Sequence, residues 1–205
     1  MTARRLIWTF AAAAVFAPAV AQAHLVATGM GPIYDGVTHF GLSPEDYLPA
    51  VALGLYAGLR GPAPARIGLA AVTLGWLGGG ALALSGPTLS PLVLQAATAA
   101  LYLVIGGMLA ANRNLGPVFG AAVGVALGLI RGAADLMGVA GSAAHVLSLL
   151  GMGACVFAVF ALGASITLPL QRHWMIVAAR VSGSWLAALG LLLTGWIVRF
   201  GAVAR

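Results

Sequence analysis

Lysine is absent from these 205 residues, the acids number four, and there is one cysteine. Each shortage excludes something. With 7% charged residues, the chain cannot present the polar surface of a soluble domain, which carries about 25%. A lone Cys155 has no partner for an internal disulfide, so redox chemistry is set aside. The formal charge of +6 comes from ten arginines against four acids. They stand mostly at the ends of apolar runs, so they read as topology signals rather than a nucleic-acid surface. What is abundant is apolar. A hydrophobic content of 61% and a mean hydropathy of +1.04 describe an all-α integral membrane protein embedded in a lipid bilayer.

The N-terminus follows a processing pattern: Arg4 and Arg5, an apolar stretch over 6–20, then Ala21-Gln22-Ala23. This reads as a signal peptide over 1–23, cut after Ala23 so that His24 begins the mature chain. The alternative is an uncleaved anchor over 6–23. Residues 24–43 then form a periplasmic segment and 44–205 a six-helix transmembrane domain. Its apolar runs are 44–59, 67–84, 91–111, 115–139, 143–170 and 174–200, judged against the roughly 20 residues a crossing helix needs. Arg60, Arg66, Arg113 and Arg172 fall in the first, third and fifth connections, whereas the second and fourth carry no basic residue. That asymmetry puts those connections in the cytoplasm, with the mature N-terminus periplasmic in a bacterial inner membrane. Arg199 and Arg205, at the outer C-terminus, are exceptions.

Gly116, Gly120, Gly124, Gly128 and Gly132 recur every four residues and line one helix face, where a neighbour can approach closely. Gly54 and Gly58, on the first run, are read as part of the same close contact. No longer internal repeat is read, and no low-complexity linker.

Three of the four acids and two of the four histidines lie between residues 24 and 46. At 1.5 Å per residue, Arg131 and Asp135 lie roughly 24 and 30 Å along the fourth run, near its outer end. His24, Asp35, His39, Glu45, Asp46, Arg131, Asp135 and His145 therefore share the outer boundary. Plainer roles exist for several. Ser43 can cap a helix whose first residue is Pro44, with Glu45 and Asp46 at its positive end. Arg131 and Asp135, one turn apart, can neutralise each other, and His145 can hydrogen-bond near a helix start. His24 and His39 with Asp46 and Asp35 make the candidate metal set, because imidazole with carboxylate suits Ni and Co, and also Cu or Zn. Glu45, Arg131, Asp135 and His145 are read as pathway or structural residues.

A histidine after the cleavage site, GVTHFGLSPEDYLPAVALGLYAG ahead of and within the first of six spans, and the overall hydropathy resemble the HupE/UreJ family. His39 matches the first histidine of that family's motif and Asp46 its aspartate. Phe40 stands for the family proline and Tyr47 for the histidine after the aspartate. Arg131-Gly132-Ala133-Ala134-Asp135 stands for a His-Gly-x-Ala-His element. The resemblance implies a divergent secondary permease for nickel or cobalt, linked to metalloenzyme maturation. The alternative is a membrane accessory protein that binds metal or a partner at the periplasmic face without transport. Ser142 and His145 are one turn apart, but no third group completes a catalytic arrangement, so the chain is read as no enzyme.

Overall fold

The computed structural model describes residues 28–86, 89–139, 141–168 and 173–200. The expected signal peptide and cleavage site, His24, Arg172 and Arg205 lie outside the described residues. Seven helices follow in order: α1 (Pro32–Leu42), α2 (Pro44–Gly58), α3 (Pro62–Leu84), α4 (Pro91–Ala111), α5 (Pro117–Leu136), α6 (Ala143–Thr167) and α7 (His173–Phe200). No strand occurs among the described residues. α1 to α5 each begin on proline, whose missing N–H is one of the unpaired donors of a first turn anyway. Glycine at positive φ precedes Pro32, Pro62 and Pro117, so the chain turns sharply just before each start. Side chains cap two helices: Ser90 Oγ accepts from Val93 N and Ser142 Oγ from His145 N.

Five helices, α3 to α7, are long and apolar enough to cross a membrane, which makes this a membrane protein. α2 has 15 residues and spans about 22 Å at 1.5 Å per residue. α1, which falls in the segment 24–43 for which no helix was expected, is a separate helix, parted from α2 at Ser43. Ser43 occupies the capping position, but its hydroxyl does not cap α2; it donates instead to the His39 carbonyl at 2.8 Å.

The bundle is built on close pairs: α3 with α5, α2 with α6, and α4 with α7, while α1 lies on the first turns of α6. Glycine makes each approach possible. A Cβ at Gly128 would strike the backbone of Trp76 and Val72, and one at Gly132 the carbonyl of Trp76. Gly54 and Gly58 abut the backbone of Phe160 and Ala164, and Gly36 that of Ser148. Contact registers fix the directions. α3 and α5 run parallel, α2 and α6 run parallel, and α4 and α7 run antiparallel. Trp76, Leu53, Leu127, Val72 and Phe160, all at most 2% exposed, fill the middle. Large apolar side chains on α7, such as Trp185, Leu192 and Trp196, face outward, as lipid-facing residues do.

The two ends differ in charge. At one, the Tyr56 hydroxyl donates to the Arg113 carbonyl at 2.9 Å and accepts from Leu115 N at 3.3 Å. There, too, Arg60 reaches Asn112 at 2.8 Å and lies over the Tyr56 ring. Arg180 donates to the Ala110 carbonyl nearby, at 2.8 Å. The acids gather at the other end.

Candidate metal centre

Gly54 and Gly58 seat α2 against α6, and Gly128 and Gly132 seat α5 against α3, so the two glycine faces do not share one contact; the start of α2 and the end of α5 meet through side chains. This places Asp46 on α2 against Arg131 on α5, 85 residues later. Arg131 Nε donates to Asp46 Oδ1 at 2.7 Å and Nη2 lies 2.6 Å from the same oxygen. Nη2 also reaches Asp135 Oδ1 at 3.3 Å, Glu45 stands 3.9 Å away, and Nη1 faces Thr98 Oγ1 at 3.5 Å. The Arg131–Asp135 pair expected from their spacing is thus present, yet the shorter contacts go to Asp46. The Asp46 side chain is 0% exposed and that of Asp135 3%.

α1 closes the site from above. His39 Nε2 lies 3.7 Å from Asp135 Oδ1, while the buried Phe40 meets Trp76 edge-on at 5.6 Å between ring centroids. One ligand atom from each of His39, Asp46 and Asp135 falls within 4.8 Å of the others. Ligands about 2.1 Å from one small ion are at most about 4.2 Å apart, so a modest contraction would bring all three onto one cation. Arg131 takes one oxygen from each aspartate. The second oxygens, Asp46 Oδ2 and Asp135 Oδ2, are buried without a hydrogen-bond partner.

His39 lies on α1, outside the membrane-spanning helices. The Asp135 carboxylate facing its ring lifts its pKa above the ordinary 6.5, against burial, which lowers it. Asp35 is partly buried and otherwise engaged. It accepts from Thr28 N at 2.6 Å and from the Thr28 hydroxyl at 2.7 Å, and these bonds hold its carboxyl below the usual range. His145 pairs through Nδ1 with Ser142 Oγ at 2.9 Å. Neither Asp35 nor His145 is among the three clustered groups. Glu45, its side chain 50% exposed, lines an open cavity of about 370 Å³ with Gln95, Thr98, Arg131 and Trp196.

Asp135, read from the sequence as a pathway or structural residue, is the third member of the cluster. Its signal was present: an acid near the outer end of an apolar run is costly unless it is used. Thr98 carried no signal, being one hydroxyl in a helix. Comparison with protein-family models, with curated proteins and with solved structures gave no match.

Proposed function

We propose that this chain is a HupE/UreJ-like permease for a divalent transition-metal ion, Ni or Co, in a bacterial inner membrane. In this reading residues 1–23 are a removed signal peptide, His24 begins the mature chain on the periplasmic side, and α2 is the first of six crossings. Supporting six crossings, α2 to α7 alternate in direction, and α2 carries acids in its first turn with Arg60 two residues past its other end.

One observation carries the metal reading: two carboxylate oxygens, Asp46 Oδ2 and Asp135 Oδ2, buried without partners beside an imidazole. Two carboxylates against one guanidinium leave one net negative charge in a largely dry site. An unpaired buried carboxylate oxygen is costly, and a ligated cation relieves two at once. His39 supplies the nitrogen that late transition metals favour over a purely oxygen set. Arg131 opposes the ion by like charge, and its hold on only one oxygen of each aspartate leaves the other two for the cation.

Uptake of Co²⁺ by cells expressing the chain tests this. His39→Ala is expected to reduce uptake about tenfold or more, and equal uptake in the two would sink the reading. The wild type also carries a pH signature. Because the His39 pKa is raised, its pairing with Asp135 is fully present below 6.5 and fades as pH rises through the shifted value. Only the neutral ring ligates, so Co²⁺ affinity is expected to climb with pH in the wild type and to climb less in His39→Ala.

A second reading has its own support. Below the cluster, Trp76, Leu53, Leu127 and Phe160 close the core, and among the described residues no acid lies deeper, while the one histidine beyond it, His173, is exposed at the start of α7. A membrane accessory protein that binds metal or a partner without flux needs nothing more. It predicts Co²⁺ binding in detergent and none entering liposomes.

A further inference from the structure

Three independent contact registers reveal a duplication that sequence inspection overlooked. Residues 51–58 of α2 read VALGLYAG and residues 125–132 of α5 read VALGLIRG. In α4, residues 104–111 read VIGGMLAA, and residues 181–188 of α7 read VSGSWLAA. Leu74-Gly75 of α3 and Leu162-Gly163 of α6 complete the series. Sequence likeness this short means little alone. The packing follows the same correspondence.

A Cβ on Gly75 would meet the carbonyl oxygen of Val125 at 2.8 Å, and one on Gly163 would meet that of Val51, also at 2.8 Å. Gly75 matches Gly163 and Val125 matches Val51, so the α3–α5 contact is repeated as the α6–α2 contact. One step along, Gly79 abuts the Leu129 carbonyl and Thr167 donates to the Leu55 carbonyl at 3.1 Å. The α4–α7 pair maps onto itself. A Cβ on Gly106 would meet the Gly183 carbonyl at 2.7 Å and Ala187 N, and one on Gly183 would meet the Gly106 carbonyl at 2.8 Å and Ala110 N. Gly106 with Gly183, and Ala110 with Ala187, exchange roles about an axis between the two helices. Corresponding helices run in opposite directions, so that axis lies across the bundle, in the plane of the membrane.

We infer that α2–α4 and α5–α7 are two copies of one three-helix unit in inverted orientation, and that they build a translocation path with an outer and an inner station. The rotation places Gly120 where Asp46 stands, and Ala57 where Arg131 stands. Both line one cavity at the arginine-rich end, together with Tyr56, Arg60, Asn114 and Phe160. That cavity is the inner image of the carboxylate cluster. It measures about 20 Å³, room for about one water, and the Tyr56 and Arg60 hydrogen bonds described above seal it. Inverted repeats of this kind let one half take up the packing of the other, which closes one station as the second opens. The inner station has no acid and has Arg60 beside it, a setting that holds a cation weakly and favours its release. The inference builds on the permease reading, and it favours transport over binding alone.

Labelling with a membrane-impermeant thiol reagent tests it without metal, so failure of the metal reading leaves the result interpretable. The full chain is placed in nanodiscs in a Cys155→Ser background. Gly120→Cys reports the inner cavity, where its Cβ would meet only the Tyr56 ring, at an ordinary 3.8 Å. Gln95→Cys reports the open outer cavity. Adding Tyr56→Phe and Arg60→Ala removes the inner seal. Labelling at 120 is expected to rise about fivefold or more while labelling at 95 falls, since the two states share one population. A rise at 120 with no fall at 95 would mean loosened packing rather than exchange and would overturn the proposal. No change at 120 would overturn it as well. A parallel Co²⁺ titration of the unaltered chain reports separately on the ion.

Discussion

Asp46→Ala is expected to abolish Co²⁺ binding and to lower stability by about 3–5 kcal/mol. The two effects have different causes. Binding fails because the most buried oxygen ligand is gone. Stability fails because Arg131, its side chain only 10% exposed, loses its shortest partner and is left with Asp135 at 3.3 Å and Thr98 at 3.5 Å. A guanidinium in such a place costs far more alone than the intact pair contributes. A double variant, Asp46→Ala with Arg131→Met, separates the two. It removes both charges of the shortest pair and is expected to recover most of the lost stability while Co²⁺ binding stays absent. Thermal unfolding in detergent and calorimetric titration measure the two readouts. Should Asp46→Ala keep wild-type affinity, the cluster is not the binding site.

The second large effect is expected at Gly128. A methyl group there would collide with backbone atoms of Trp76, Val72 and Gly75, and backbone cannot rotate away as a side chain can. Gly128→Ala therefore forces α3 and α5 apart, at the upper end of the roughly 1–3 kcal/mol typical of overpacking. The loss spreads to the site, since α5 carries both Arg131 and Asp135. Gly107→Ala is the control. Its Cβ would meet nothing within 4 Å, and alanine is about 0.5–1 kcal/mol better than glycine inside a helix. Equal melting temperatures for the two variants would show that the close approach is not needed.

Much of the architecture was legible because lipid leaves helices little choice. Runs at 91–111 and 44–59 match α4 and α2 to within a residue, each opened by a proline that fixes its start. The run expected from 67 begins at Pro62, since Gly61 at positive φ turns the chain five residues before the apolar stretch becomes continuous. α1 was missed for a related reason. Only Gly36 and Phe40 among its residues are buried, so it lacks the unbroken hydrophobicity that marks a crossing.

The site was half legible. Shared depth gathered His39, Asp46, Arg131 and Asp135 correctly, because depth follows from rise per residue. Rotation about each helix axis does not follow from it. The choice of Asp46 over Asp135 as the shortest partner of Arg131, and the facing of Asp135 toward His39, depend on which glycines seat against which backbone. The duplication escaped for a third reason. Its strongest matches are eight residues long and made of small apolar side chains, common in any membrane helix. Only paired contacts separate descent from composition.

Two identical halves laid head to tail would run equally well either way up; here Asp46 and Asp135 at one end, with Gly120 in the place matching Asp46 at the other, already tell the ends apart. α1 widens that difference. Its 11 residues lie at the acidic end and, among the described residues, bring the only imidazole in the cluster. On the permease reading, that end is the front door.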